Sequence, residues 1–125
     1  MTLRPRTVTV KLLPKAMNLR QGRTFARELS GLMDTDHPRL VLDCSNLQQM
    51  NTPAIYLLLC CLEEAMKRNG DVRLSGVSEE ARVVLESTGT DGLFSIFDSN
   101  QEAENSFRRR LNVVALRDDL QTASQ

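Results

Sequence analysis

Val41-Leu42-Asp43-Cys44-Ser45-Asn46-Leu47-Gln48-Gln49-Met50-Asn51-Thr52-Pro53-Ala54-Ile55-Tyr56-Leu57-Leu58-Leu59 reads as a buried strand, a tight polar loop and the capped start of an apolar helix. A strand-to-helix junction of this kind directs several unpaired backbone N–H groups toward one spot, which suits an anion or the polar groups of a partner. The function of the chain is therefore sought here first.

Outward from that stretch the chain alternates strand-like and helix-like segments. Upstream, residues 7–13 alternate β-branched or apolar with polar side chains and are stopped by Pro14, the pattern of a half-buried strand. Ala16-Met17-Asn18-Leu19 is a brief strand or a turn before a helix expected from about Gln21, with Phe25, Leu29, Leu32 and Met33 on one face and Arg23, Arg27 and Glu28 in water. Residues 34–38 form a loop. Residues 39–44 are nearly all apolar, as in a central strand covered on both faces.

Downstream, the helix runs from Pro53 to about Asn69, with Gly70 as its stop signal. Ala54, Ile55, Leu57, Leu58, Leu59, Cys61, Leu62, Ala65 and Met66 fill its inward arc, and Tyr56, Cys60, Glu63, Glu64, Lys67 and Arg68 its outward arc. A strand and turn at 71–76 follow, then a helix capped by Ser78 with core positions Ala81, Val84, Leu85 and Thr88, ended by Gly89. Residues 93–97 form a last short strand or bend, and Asp98 or Ser99 opens a helix reaching Arg110. Val113, Val114 and Leu116 are candidates to extend it. The expected class is α/β, a small mixed sheet of about 4–5 strands flanked by about 4 helices in the order β(β)αβαβαβα. Residues 1–110 make a single domain and 111–125 a C-terminal extension with a frayed end.

Composition narrows the function classes. The 16 basic and 16 acidic residues cancel, so there is no general basic field for nucleic acid or anionic lipid. No apolar run approaches the length of a membrane span, and the first residues lack a secretory layout, so a cytoplasmic location is expected. Cys44, Cys60 and Cys61 suit neither a disulfide framework nor a metal site and read as free thiols. His37 beside Pro38 has no second ligand near it. No Ser-His-Asp set, paired catalytic carboxylates or Gly-rich phosphate loop is visible, so neither an enzyme nor a cofactor or metal is expected. Asp43 reads as a turn-forming carboxylate, and Thr52 as a helix cap with Pro53 at the first helical position. Arg108-Arg109-Arg110 suits a helix C-terminus.

Leu40-Val41-Leu42-Asp43-Cys44-Ser45-Asn46-Leu47, Asn69-Gly70 with Val72-Arg73-Leu74, and the run from Leu85 through Thr88-Gly89 to Ser99 resemble, in this order, the STAS domain family of bacterial anti-sigma-factor antagonists. The likeness spans roughly residues 7 to 107. It implies a small sheet with helices on one side and an exposed loop before the second helix. In phosphoregulated members that junction reads Asp-Ser-Ser-Gly or Asp-Ser-Thr-Gly, and a kinase that is also the anti-sigma factor phosphorylates the second hydroxyl residue. Here Asn51-Thr52-Pro53-Ala54 takes that place, so the usual acceptor is matched by Pro53, which has no hydroxyl. Thr52 is the remaining candidate for phosphorylation.

The resemblance implies a noncatalytic regulatory module that binds a serine-kinase or anti-sigma-type partner, or a related switch protein, with a homodimer open. A structural subunit of a lipid-transport or stress-sensing assembly and a small-ligand sensor are the alternatives. The expected partner-binding residues are Asn18, Asn46, Gln48, Gln49, Met50, Asn51, Thr52, Pro53, Tyr56 and Cys60, with the exposed aromatic Tyr56 at the centre.

Overall fold

The computed structural model describes residues 8–35 and 37–107, and each helix in it starts at a side chain able to accept a backbone hydrogen bond. The chain order is β1 (Thr9–Leu12), α1 (Leu19–Leu32), β2 (Arg39–Asp43), α2 (Thr52–Lys67), β3 (Asp71–Ser75), α3 (Glu79–Ser87), a 3-10 turn (Asp91–Leu93), β4 (Ile96–Phe97) and a helix α4 over residues 100–107. Asn18 caps α1 by accepting the Gln21 N–H, and Ser78 caps α3 by accepting that of Ala81. The Ser99 hydroxyl does the same for α4, accepting the Glu102 N–H at 3.1 Å. The segment 16–18 that was open between strand and turn is a turn, so α1 begins two residues earlier than its apolar spacing suggested.

The four described strands pair in parallel and lie in chain order, β1-β2-β3-β4. Each crossover advances one strand in the same direction, and crossovers of the usual right hand then put their helices on one face. The core reflects this. Leu40 and Leu42 of β2 and Val72 and Leu74 of β3 face Phe25 and Leu29 of α1 and Leu57, Leu58, Cys61 and Ala65 of α2. The alternate residues point to the opposite face, where Val41 meets Ala103 and Phe107 of α4. Val41 is completely buried, as expected of a strand covered on both sides.

That second face corrects the expectation of helices on one side. It is small and held partly by polar groups. The buried Arg73 guanidinium lies 3.9 Å from the Phe107 ring centroid, reaches Asp71 at 3.4 Å and donates to the Ser106 hydroxyl. Two further details differ from the sequence reading. Met66 is 62 % exposed, because it shares the α2 flank of the half-buried Ile55 and Leu59 rather than the arc of Leu58, Cys61 and Ala65. Thr88 is exposed, and its hydroxyl donates back to the Val84 carbonyl. Arg108–Arg110, the candidate extension at Val113, Val114 and Leu116, and the segment 111–125 lie outside the described residues.

The exits of α2 and α3 are Schellman turns. In α2, Asn69 takes the left-handed conformation (φ 59°), its N–H donating to Met66 and that of Gly70 to Ala65. Asn69, not Gly70, is therefore the stop. Gly70 is needed for another reason: a Cβ there would sit 2.1 Å from the Pro38 carbonyl oxygen. In α3, Gly89 (φ 72°) fills the left-handed position, with Thr90 N–H donating to Leu85.

Candidate docking surface

The loop from Cys44 to Asn51 leaves the C-terminal edge of the sheet, where Asp43 ends β2. One Asp43 oxygen accepts the Ser45 N–H at 2.9 Å and the other accepts Asn100 Nδ2 at 2.9 Å. The Asn100 carbonyl oxygen in turn accepts from the buried Ser75 hydroxyl at the end of β3. Burial would raise the Asp43 carboxyl, but the hydrogen bonds from Ser45, side chain and backbone, and from Asn100 outweigh it and hold the group below the usual carboxylate range. Asp43 is thus a structural clamp. It ties the start of the loop to α4, a link across 57 positions that no local pattern reveals.

Farther along, Leu47 and Met50 turn into the core, while Asn46, Gln48 and Gln49 face outward. The Gln48 N–H donates to the Lys15 carbonyl at 2.8 Å. Asn51 then does two things. Its Oδ1 accepts the Ala54 N–H at 3.0 Å, capping α2, and its Nδ2 donates to the Met17 carbonyl at 3.1 Å. The expected assignment shifts by one residue: Asn51 is the cap, Thr52 the first helical residue and Pro53 the second. Asn51 wins because its amide satisfies a second backbone group at the same time, which a Thr hydroxyl at position 52 does not reach.

The first-turn donors of α2 are mostly taken. Ala54 N–H is occupied by the Asn51 side chain, Ile55 N–H bonds the Asn51 carbonyl, and Pro53 has no N–H. Thr52 N–H is the one first-turn donor left, too few for a phosphate cradle. Among the described residues no group of three or more His, Cys, Asp or Glu side chains gathers as a metal site. His37 contacts the Asn69 carbonyl at 3.1 Å through Nδ1.

Thr52, Tyr56 and Cys60 follow one another at four-residue intervals along the outer side of α2, with Pro53 beside them. Thr52 is exposed, Tyr56 is 69 % exposed, and Pro53 and Cys60 are half-buried. The Cys60 thiol beside the Tyr56 hydroxyl raises the phenol above its ordinary value, with Glu63 adding to it, so Tyr56 is a neutral hydroxyl under ordinary conditions. Beside the loop, a groove of about 270 Å³ separates Gln48, Gln49 and Asn51 from Glu80 and Val84 of α3.

Of the ten residues expected at the surface, Asn46, Gln48, Gln49, Asn51, Thr52, Pro53, Tyr56 and Cys60 lie together there. Asn18 is exposed next to Met17, but its side-chain oxygen is engaged at the head of α1. Met50 is a correction: at 5 % exposure it is a core residue, drawn inward by the apolar layer under α2. Glu80 and Val84, which wall the groove, were missed, since a favourable first-turn Glu and a core-spaced Val look the same whether or not a groove lies alongside.

Residues 8–103 match the profile described as STAS domain. The chain belongs to the STAS domain family. No curated protein matches it at the significance required. Among solved structures, it is similar to a Thermotoga maritima protein described as a candidate anti-sigma factor antagonist (TM-score 0.70, 18 % identity, 83 % of this chain and 93 % of that one). It is also similar to an anti-sigma-factor antagonist (STAS) domain protein from Planctomyces limnophilus (0.66, 22 %, 77 % and 86 %). A third is the STAS domain of a SulP transporter from Vibrio cholerae (0.68, 18 %, 89 % and 88 %). At these identities the likeness is one of fold. No helix among the described residues of this STAS domain is long and apolar enough to cross a membrane.

Within the STAS fold, Gln48, Gln49 and Asn51 line the groove beside α3, and Thr52, Pro53 and Tyr56 follow in the first turns of α2. Pro53 packs half-buried in the first turn, and Thr52 presents the hydroxyl nearest to it.

Proposed function

We propose that this STAS domain is a noncatalytic regulatory interaction module, similar to anti-sigma factor antagonists, that binds a serine-kinase or anti-sigma-type protein through the loop 46–51 and the outer face of α2. Pro53 carries the reading: the side chain at the position where phosphoregulated members present a hydroxyl has none, while the surrounding surface keeps an exposed aromatic. Phosphate adds about −1.5 to −2 charges and disrupts a docking surface where it has no basic partner. A surface without its acceptor stays in the binding form. The cellular setting that goes with this role is the bacterial cytoplasm and the control of transcription.

Tyr56→Asp tests the docking half of the reading. Its side chain is largely in water, so the change leaves stability within about 0.5 kcal/mol. Partner binding measured by calorimetry falls by at least tenfold, since truncating or charging a central aromatic anchor costs about 2 kcal/mol or more. Unchanged affinity removes Tyr56 from the interface.

Similarity to the SulP transporter domain supports a second reading, a structural subunit that docks permanently in a larger assembly. Purification of the tagged chain separates the two: recovery of a membrane transporter favours the second, and a kinase-type protein the first.

A further inference from the structure

Helix α1 carries its charges against the grain of its own dipole. Helix starts favour acidic residues and helix ends basic ones. Glu79 and Glu80 open α3 in that way and Lys67 closes α2. The first turn of α1 has no acidic residue and its last turn no basic one. Arg20, Arg23 and Arg27 run from its first turn into its third instead, at the three- and four-residue spacings that crowd like charges onto one face. Four other basic side chains pair with carboxylates: Lys11 lies 2.7 Å from Glu28, Lys67 3.3 Å from Glu64, Arg68 2.8 Å from Glu64 and Arg73 3.4 Å from Asp71. Among the described residues, none of the three α1 arginines has a carboxylate within 4.0 Å.

The stripe is also joined to apolar surface. Leu19 at its head is 77 % exposed. One shallow groove follows Leu19, Arg20, Arg23 and Arg27; a second, walled by Leu12, Phe25 and Asn46, shares Arg20 and Thr24 with the first. Asn46 belongs to the docking loop, and the Gln48–Lys15 and Asn51–Met17 hydrogen bonds fix that loop to the turn entering α1.

We propose that the arginine stripe is the second half of the docking surface and takes an acidic segment of the protein partner, with an apolar side chain of that segment laid on Leu19. This rests on the interaction-module reading and names what the partner must carry. The eight residues from Arg20 to Arg27 rise about 10 Å along the helix, about two helical turns of a partner segment. A zero formal net charge and an exposed apolar surface limited to Leu19 and Leu12 along the two grooves disfavour a nucleic-acid backbone or a membrane surface.

The test titrates the isotope-labelled full chain with a synthetic Glu-rich peptide bearing Leu at i and i+4, followed by NMR and fluorescence anisotropy. Saturable shifts centred on residues 19–27, weakening as salt rises, are expected. R20E/R23E/R27E weakens binding by tenfold or more. R20Q/R23Q/R27Q, which removes charge without reversing it, weakens binding too. Shifts spread over the whole surface, wild-type peptide affinity in both variants, or tighter binding to phosphatidylserine vesicles or duplex DNA than to the peptide overturn the proposal. Tyr56→Asp keeps peptide binding while losing the partner. If the peptide does not bind but Tyr56→Asp still abolishes partner binding, the stripe is wrong and the docking reading stands; if partner binding survives Tyr56→Asp, the docking reading is what fails.

Discussion

Single side chains decide most of the chemistry here. Cys60 and Cys61 are neighbours with opposite fates: Cys61 is buried in the layer between α2 and the sheet, whereas Cys60 is half-buried beside Tyr56. Burial, reinforced by Cys60, pushes the Cys61 thiol up to about 12, and burial with the nearby Asp43 charge does the same to Cys44. An aromatic disulfide reagent at pH 8 is therefore expected to titrate one thiol, Cys60, in the native chain and three after denaturation; rapid reaction of a second thiol contradicts this burial. Asp43 gives a prediction in pH. A carboxyl held below its unfolded value stabilises the fold fully above about pH 4, and that stabilisation is lost as pH falls through the folded value. Asp43→Asn therefore lowers Tm at neutral pH and flattens its decline below about pH 4, which melting curves across that range check. Helical spacing separates Cys60 from Cys61 because Cys61 lies three residues after Leu58 and four before Ala65, both buried, while Cys60 follows exposed Tyr56 by four. The Asp43–Asn100 link was illegible, because it joins ends of the chain that only the folded sheet brings together.

Element by element, the same division holds. The starts and faces of the helices were readable from apolar spacing and capping residues, since both are local. Assignments at the one-residue level were not: Thr52 and Asn51 are both good caps, and the choice between them came from the Met17 carbonyl, 34 positions away. The α2 exit teaches the same point with a glycine. Asn69 takes the left-handed turn, where Gly has no Cβ penalty, so Asn69→Gly is expected to be neutral or to stabilise by up to about 1 kcal/mol in urea unfolding. Gly70→Ala forces a methyl onto the Pro38 carbonyl and is expected to cost about 1–3 kcal/mol or more. Were Gly70 the left-handed stop, Asn69→Gly would destabilise. Helix α4 was expected to pack on the same side as the others, but β2 and β3 present Val41, Arg73 and Ser75 to the far face, and a buried Arg with Phe107 over it needs that cover.

For the whole molecule, the sheet separates two jobs. On one face α1 to α3 build the larger core and, at the C-terminal edge of the strands, support the loop and the head of α2; on the other, α4 anchors Asp43, the residue from which that loop departs. The proposed docking surface is thus held from both sides, by Asn100 through Asp43 and by Lys15 and Met17 through Gln48 and Asn51. Such preorganisation reduces the ordering cost of binding. It agrees with the proposal of a surface that stays in one state, with Pro53 in its first turn. The central claim is tested most directly by calorimetry of this chain and of Pro53→Ser with the kinase-type partner, with and without ATP, and intact-mass measurement of each sample. The account predicts that the wild-type chain gains no phosphate and binds equally well in both conditions, while Pro53→Ser gains one phosphate and loses binding when ATP is present. Stoichiometric phosphate on the wild-type chain, on Thr52 for instance, with release of the partner, would contradict it.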